Sequence, residues 1–349
     1  MLQPSPTSKR RGRLFRFGAA LVTMLAVAGY LVVQYVTSGA GRPGCEVVAA
    51  GDRGSSYEFT PRQAVNAATI TAVGTTRDLP ERAVTIALAT ALQESALDNL
   101  DHGDRDSLGL FQQRPSQGWG TPEQIMDPAY AAGKFYDHLV DVPGYTRLPL
   151  TVAAQRVQRS GFPDAYAKHE PDAALLAAAL TGHAAATLTC EGRPGTTRTG
   201  GTDAVRAALA RDFGRDVLRP TAADVGASPT PTPTTGASDS SPSSPSSPSS
   251  PSSDRSPTSV PSGGSGGSGG RTMTLPVTAE AGPRDARQRG WQLAHWAVAN
   301  SSALLIERVS YAGREWTAGN TGSQWRSLAA AGTGGAERGS GSVRIVTAR

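Results

Sequence analysis

The residues best suited to chemistry lie in one stretch, Pro80 to Pro115, with the sequence PERAVTIALATALQESALDNLDHGDRDSLGLFQQRP. Its first part predicts a helix with Asp78 as the N-cap and Pro80 in the first turn, where a missing N–H costs nothing. Nearly every side chain from Ala83 to Leu92 is apolar or small, which is typical of a buried helix. Glu94 follows where this apolar run ends. A carboxyl group held against apolar walls has a raised pKa, so Glu94 is a candidate general acid.

Two motifs in this stretch resemble those of the soluble lytic transglycosylases and the wider lysozyme superfamily. They are QES at Gln93–Ser95 and GLFQ at Gly109–Gln112, and the second begins fifteen residues after Glu94. The resemblance covers about residues 60–190 and implies a mostly α, lysozyme-like fold. It implies that a Glu-Ser pair ends a buried helix and that the GLFQ turn faces it across a cleft. In that family the Glu protonates the glycosidic oxygen of peptidoglycan.

Several polar and aromatic side chains near this stretch are candidates for binding a substrate. In the resembling family the serine after the acid helps to orient it, although Ser95 also has the type of a helix-end cap. Gln112 is either a sugar contact or a residue that bonds within its loop. Aromatic faces stack on sugars, so Trp119 is a candidate for the groove, with a core position as its alternative. The full set of binding candidates is Ser95, Gln112, Arg114, Trp119, Tyr136 and Tyr166.

Tyr166 enters this set only through the resemblance. The segment VQRSGFPDAY at 157–166 lies where such families carry a tyrosine near the acid. It departs from their usual Y-N-A-G pattern, so the family's role for that tyrosine is carried to Tyr166 by position alone.

A second catalytic carboxylate is an open question. Hydrolytic glycosidases generally use two carboxylates, whereas lytic transglycosylases use one Glu because the 6-hydroxyl of the substrate attacks. The acidic loop after Glu94 supplies four candidates for a second carboxylate: Asp98, Asp101, Asp104 and Asp106. The alternatives are a solvated loop or a cation site, although DHGDRD lacks the spacing of an EF-hand.

Cys45 and Cys190 are the only cysteines, and they bracket the region of resemblance. Two cysteines in an exported chain pair by default, which predicts one disulfide between the two ends of the domain. Metal binding or redox chemistry is the alternative, but there is no CxxC and the five histidines are scattered singly. The sequence therefore predicts neither a metal nor a cofactor.

An uncharged apolar run of twenty residues, 17–36, follows a basic cluster near the N-terminus. As a helix it would span about 30 Å, the hydrocarbon thickness of a bilayer. Because basic residues stay cytoplasmic, we expect a cytoplasmic tail (1–16), one transmembrane helix (17–36) and an extracellular remainder. A cleaved signal peptide is the alternative. Most of the excess positive charge lies in this cluster, which argues against a nucleic-acid partner.

The remainder of the chain divides by composition. SPS and GGS repeats cannot bury a core and predict a disordered linker. The predicted segments are a helical domain (45–190), a helical tail (191–219), the linker (220–270) and a small α/β module (271–349).

The helical domain shows repeated helix-start signals and no strand pattern of note. Thr60-Pro61, Thr121-Pro122 and Asp127-Pro128 each combine a capping residue with a proline in the first turn. Further helices are expected from Leu150 and over residues 164–181. The sequence therefore predicts an all-α domain.

The C-terminal module predicts one helix, RGWQLAHWAVANSSAL, followed by strands in LLIERVSYAGREW and VRIVT. The helix offers four apolar side chains for burial: Trp291, Leu293, Trp296 and Ala297. The module is similar to the C-terminal half of zinc-dependent D-Ala-D-Ala peptidase-like domains of actinobacterial wall proteins. Those domains place a metal-binding His in the last strand, but the last strand predicted here, VRIVT, has no His. His295 is a lone residue on the helix and is more typical of a surface or core position than of a metal ligand. We expect a metal-free binding or structural module.

These features predict a membrane-anchored, wall-facing enzyme that cleaves peptidoglycan glycan strands, of the lytic transglycosylase or muramidase type. The first alternative is a peptidoglycan-binding scaffold without turnover. The second is a transporter or metal-handling protein, against which stand the single spanning segment and the lack of a Cys/His cluster. The expected partners are the glycan strands and the cytoplasmic membrane.

Overall fold

The computed structural model of the chain describes residues 44–51, 54–160, 163–192, 201–218, 271–277, 286–319, 324–328 and 341–348, together with Met24. The predicted cytoplasmic tail (1–16), transmembrane helix (17–36) and linker (220–270) lie outside the described residues, Met24 excepted. Within the part of the chain that is described, no helix has both the length and the apolar character to cross a membrane. About half of the described residues are helical, and two small sheets accompany the helices.

The helices of the first part follow the predicted starts at Pro61, Pro122, Pro128 and Leu150, whereas over 164–181 a 3₁₀ helix precedes an α-helix that begins only at Glu170. They are α1 (Pro61–Thr76), α2 (Glu81–Ser95), α3 (Pro122–Ile125), α4 (Pro128–Val140), α5 (Leu150–Gln158), α6 (Glu170–Leu180) and α7 (Thr202–Phe213). Thr60 and Thr121 each close a capping box with a glutamine three residues later. Asp127 caps α4 by accepting a hydrogen bond from the Ala129 N–H. A single-turn 3₁₀ helix (Pro115–Gln117) and a longer one (Pro163–His169) supply the remaining turns near the site.

Asp78 does not cap α2, so that prediction was wrong. Pro80 itself has the extended backbone of an N-cap, with φ −67° and ψ 157°, and the helix begins one residue later at Glu81. Asp78 lies two residues before that cap and has a left-handed backbone, φ 54°. Its carboxylate is therefore outside the position from which a side chain caps the first turn.

A three-stranded antiparallel sheet corrects the expectation of an all-α domain. Its strands are β1 (Cys45–Val48), β2 (Ser56–Phe59) and β3 (Leu188–Cys190), in the order β2-β1-β3. Strands of three or four residues are too short for an alternating pattern to stand out, and the partner of β1 in β3 is far away in sequence. Cys45 lies opposite Cys190 in the sheet, and the two form the predicted disulfide.

The C-terminal part contains the predicted helix beneath a five-stranded antiparallel sheet. Its elements are β4 (Thr272–Pro276), α8 (Ala286–Ala299), α9 (Ser301–Leu304), β5 (Ile306–Tyr311), β6 (Arg314–Thr317), β7 (Arg326–Ser327) and β8 (Ser342–Thr347). The strand order is β4-β8-β5-β6-β7. The four side chains expected to be buried on α8 are all buried.

Helix α8 joins the C-terminal part to the helical domain. Its apolar side chains belong to the same hydrophobic core as those of α1, α2 and α6. Gln292 donates a hydrogen bond to the Thr75 hydroxyl at 2.7 Å, and Trp296 donates its indole N–H to Asp212 at 2.8 Å. His295 is fully buried, 2.7 Å from the Ala179 carbonyl oxygen. The side of the helical domain that contacts α8 is therefore closed by packing, whereas a cleft remains open at the end of α2.

Candidate active site

The end of α2 fixes the position of Glu94. The helix is buried from Ala83 to Leu92, as predicted, and Glu94 is the half-buried side chain where burial ends. Ala96 closes the helix in a left-handed conformation. The Ser95 hydroxyl donates to either the Ala91 carbonyl at 3.1 Å or the Leu110 carbonyl at 2.8 Å. Ser95 therefore ties the end of α2 to the GLFQ segment from behind the cleft.

The GLFQ segment is a tight turn anchored by apolar side chains. Leu110 and Phe111 are fully buried, and Gly109 adopts φ 77°. A Cβ at Gly109 would lie 2.8 Å from the Ile125 carbonyl oxygen, so only glycine fits this close approach. Gln112, the last residue of the motif, also has a left-handed backbone, φ 47°, and its side-chain amide nitrogen lies 3.3 Å from the Gly109 carbonyl oxygen. The turn thus brings Gln112 into the same cleft as Glu94.

The cleft has a volume of about 990 Å³. Four of the predicted site residues line it: Glu94, Gln112, Arg114 and Trp119. Ser95 and Tyr166 do not line it: Tyr166 is bonded to Glu94, which does, and Ser95 is bonded to the buried Leu110 of the GLFQ turn. Tyr136 belongs to the core instead, because it is fully buried and its hydroxyl donates to the Ile70 carbonyl at 3.1 Å.

Tyr166 holds the carboxylate of Glu94. Its hydroxyl donates to Glu94 Oε1 at 2.6 Å, and its ring is fully buried. Burial, followed by the hydrogen bond to Glu94 and its negative charge, raises the pKa of Tyr166 far above its usual value. The hydroxyl therefore stays protonated and acts as a permanent donor. Among the described residues, Glu94 Oε2 accepts no hydrogen bond, so this oxygen is available to a ligand.

The acidic loop divides into paired and unpaired carboxylates. Asp98 forms an ion pair with Arg62 at 2.9 Å, on the side of α1. Asp106 accepts from the Ser116 backbone N–H and from Arg114 at 2.7 Å, and these bonds hold its pKa well below the usual range. Asp106 is therefore a fixed anion that positions Arg114.

Two carboxylates of the loop remain exposed. Asp101 contacts only the neighbouring His102 among the described residues, and both side chains are largely in solvent. Asp104 lines the cleft with Glu94, and its side chain is 93 % exposed. Of the four carboxylates of the loop, Asp104 is therefore the one that lines the cleft, and Asp141, which the sequence analysis did not single out, lines it as well.

Trp119 and His138 form an aromatic contact at the rim of the cleft. Their ring centroids are 4.3 Å apart, and both residues line the cavity. Tyr130 donates its hydroxyl to the Trp119 carbonyl at 3.3 Å, which fixes the backbone of this loop. Trp119 is half-buried, so part of its ring faces the cleft and is free to contact a sugar.

The end of α5 supplies a wall that sequence reasoning missed. Arg156, Gln158, Arg159 and Ser160 line the cleft. Gln158 donates to the Phe111 carbonyl at 2.8 Å and so joins this wall to the GLFQ turn. The end of α5 and the GLFQ turn are far apart in sequence. The residues at the end of a helix carry no sequence pattern that would mark them as part of a cleft. A positively charged residue at the end of an amphipathic helix was the only available signal.

No family model matches the chain, and no curated protein sequence is similar to it. Across the described ranges, no group of three or more His, Cys, Asp or Glu side chains is arranged to hold a metal ion.

Proposed function

We propose that this protein is a membrane-anchored enzyme that cleaves the glycan strands of peptidoglycan, of the lytic transglycosylase type, with Glu94 as its single general acid and base. The observation that carries this proposal is the carboxylate of Glu94, held by Tyr166 at 2.6 Å in a large polar cleft. A carboxyl group at such a position can exchange a proton with a bound glycosidic oxygen. The membrane part of the proposal rests on the sequence of residues 1–36.

The proposed reaction needs one group that first gives and then takes a proton. Glu94 protonates the oxygen of the glycosidic bond as that bond breaks and the sugar gains oxocarbenium character. The resulting carboxylate then accepts the proton of the sugar's 6-hydroxyl, whose oxygen closes onto the anomeric carbon. The product is an anhydro sugar, and no water is consumed. Tyr166 holds Oε1 throughout, which leaves Oε2 to face the substrate.

The remaining residues have supporting roles in this proposal. Gln112 and Arg114 bind polar groups of the sugars, and Trp119 offers an aromatic face to a sugar ring. Ser95 keeps α2 and the GLFQ turn in register through the Leu110 carbonyl. Arg114 is held at the cleft by its ion pair with Asp106, which is itself fixed by the Ser116 N–H.

The test is the substitution Glu94→Gln, which keeps the shape of the side chain but cannot donate a proton. We expect glycan cleavage to fall by about 10²–10⁴-fold, while the melting temperature and wall binding stay unchanged. Released muropeptides are measured by mass spectrometry, and the wild type should release anhydro ends. Glu123→Gln is the control, because Glu123 is exposed on α3 and does not line the cleft. This variant should cleave as the wild type does.

A two-carboxylate hydrolase is the second candidate, favoured by Asp104 in the same cleft. In that case Asp104→Asn would be as inactive as Glu94→Gln, and the products would have plain reducing ends. A scaffold without turnover would bind peptidoglycan equally well as wild type and as Glu94→Gln, with neither protein cleaving it.

A further inference from the structure

The end of α5 brings two arginines into the cleft that the proposed cleavage reaction does not use. Arg156 lies in the last turn of the helix, and Arg159 follows directly after its end. Both side chains are exposed, and both line the cavity that contains Glu94. Their side chains therefore leave from the last turn of α5 and from the residue that ends it.

These two guanidinium groups differ from the other arginines of the cleft in having no anionic partner. Arg114 is paired with Asp106 at 2.7 Å, and Arg105 lies 4.0 Å from Asp104. Across the described part of the chain, no carboxylate lies within ion-pair distance of Arg156 or Arg159. On the α5 side the cleft therefore presents two arginines without an ion-pair partner, in a cavity whose carboxylates are Glu94, Asp104 and Asp141.

The backbone at Arg159 marks the end of α5. This residue ends α5 in a left-handed conformation, φ 51° and ψ 38°, where glycine is the default because it has no Cβ. A basic residue near a helix C-terminus interacts favourably with the helix dipole, which accounts for a positive charge there. Ala96 and Leu305 end their helices with the same backbone conformation, so the case for a ligand at Arg159 comes from its place in the cleft.

The segment is held firmly enough to form a binding surface. Gln155 donates to the Ser160 carbonyl at 2.7 Å, which bridges across Arg159, and Gln158 is bonded to the GLFQ turn. The two arginines thus project from a backbone that is fixed on both sides.

We infer that Arg156 and Arg159 form a carboxylate-binding subsite in the cleft, which takes a carboxylate carried by a substituent of the glycan. Guanidinium groups bind carboxylates through paired, charge-assisted hydrogen bonds, which Lys and Gln do not reproduce. Peptidoglycan offers such a group either at the peptide attached to its sugars or, where the peptide has been removed, at the free lactyl carboxylate. The inference rests on the proposed function, since it takes the occupant of the cleft to be that glycan.

The experiment measures binding without turnover. The full-length chain with Glu94→Gln is titrated in detergent, and binding is measured by calorimetry. Two of the four ligands are a peptide-bearing glycan fragment and the same fragment with its carboxylates converted to amides. The other two are a peptide-free fragment with free lactyl groups and a chitin oligosaccharide. Each titration is repeated with Arg156→Gln and Arg159→Gln added. The matched control replaces Arg147 and Arg206 by Gln, because both are exposed and neither lines the cleft.

The subsite predicts that the two arginine substitutions weaken binding of a carboxylate-bearing glycan by about 10- to 100-fold. Binding of the amidated fragment and of chitin should change by less than about two-fold, and the control should match the parent protein. Arginine-dependent binding of the peptide-free fragment identifies the lactyl carboxylate, and dependence only with the peptide-bearing fragment identifies the peptide.

Two results would overturn the subsite. An equal loss of affinity for charged and amidated ligands would mean that the arginines only support the shape of the cleft. Unchanged affinity for every ligand would mean that they bind nothing. The proposed function fails separately: if the wild type binds the glycan through these arginines but releases no product, the subsite stands and the cleavage reaction does not.

Discussion

The cleft and the interface of the C-terminal part use polar side chains in opposite ways. At the cleft, Asp106 and Arg114 are eight residues apart and remain 37 % and 27 % exposed while they form an ion pair. At the interface, Asp212 is fully buried and accepts from Trp296, which lies 84 residues away in sequence. Polar groups in the cleft are still accessible to a ligand, whereas those in the interface are buried and already hydrogen-bonded to other parts of the protein.

This difference separates the expected effects of substitutions. A buried donor or acceptor that loses its partner costs its full desolvation free energy, so changes at the interface should lower stability. An exposed polar group that loses its partner is solvated by water, so changes in the cleft should lower activity and leave the melting temperature almost unchanged. Each prediction below separates one of these effects from the other.

Removal of residues 271–349 should have the largest effect. Trp316 and Trp325 donate to Thr189 and Leu188 of the first part at 3.2 Å and 2.9 Å, and α8 is part of the shared core. Each large side chain lost from a core removes about 1.5–3 kcal/mol, and the total stability of a domain is only about 5–15 kcal/mol. We expect the shortened chain to show no cooperative thermal unfolding.

The matched control for this truncation removes residues 226–265, which leaves all the described elements in place. Its unfolding transition should match that of the full chain. A shortened protein that ends at residue 270 and unfolds cooperatively at the wild-type temperature would show that the two parts fold independently.

Asp212→Ala should lower the free energy of unfolding by about 2–3 kcal/mol. It leaves the buried Trp296 indole N–H without an acceptor and removes the contacts of Thr69 and Arg211 with the carboxylate. Chemical denaturation measures the change. Asp203→Ala on the same helix is the control: Asp203 is exposed, and its loss should have no measurable effect. Adding Trp296→Phe should recover part of the loss, because it removes the orphaned donor.

Tyr166→Phe should lower the rate of cleavage by about 10- to 100-fold, the value of one hydrogen bond to a charged group. The substitution leaves the ring in the core and removes the donor to Glu94. Tyr136→Phe is a close match, because Tyr136 is equally buried but bonds only to the Ile70 carbonyl. It should lower stability slightly and leave the rate unchanged. Equal rates for the two variants would remove Tyr166 from the site.

Local rules explain which parts of this fold could be read from sequence. Thr60, Thr121 and Asp127 each cap a helix through atoms within three residues, so the start signals were sufficient. The apolar run before Glu94 predicted a buried helix that ends at the carboxylate, and the structure has it. The disulfide was predicted from two cysteines in a chain expected to be exported, and it is confirmed.

The parts that could not be predicted depend on contacts between distant residues. The pairing of β1 with β3 joins residues 145 positions apart, and neither strand is long enough to show an alternating pattern of apolar and polar residues. Arg156 and Arg159 line the cleft because α5 packs near the GLFQ turn. The contact that joins the two, from Gln158 to Phe111, spans 47 residues of sequence. Tyr166 was found only through a resemblance, because its contact with Glu94 spans 72 residues.

His295 provides the smallest and most specific test of the interface. Its Nδ1 lies 2.7 Å from the Ala179 carbonyl and so carries the proton, while Nε2 accepts from the Thr187 N–H at 3.3 Å. The rings of Trp291 and Trp325 pack on the imidazole. Protonation would place a second N–H against the Thr187 donor. Burial lowers the pKa of His295 to about 4, with the Ala179 bond opposing the shift.

The sign of the pH dependence follows from that pKa. Unfolded histidine titrates near pH 6.5. Between about pH 6.5 and pH 4, residue 295 is therefore protonated in the unfolded chain but stays neutral in the folded chain. Stability from His295 is complete above that window and is lost as the pH falls through it. Between about pH 7 and pH 5.5 we expect the free energy of unfolding to drop by about 1 kcal/mol. Denaturation at several pH values measures it.

His295→Gln should be less stable at neutral pH but should lack this part of the pH dependence. His169 needs its own control, because burial also lowers its pKa and acts in the same direction. His169→Gln should therefore keep most of the slope, since His169 lies beside the cleft helix and is only half-buried, with its ring near Gln93. If His295→Gln and the wild type lose stability equally over this range, the interface does not hold a neutral histidine, and its polar groups are more accessible to water than those contacts require.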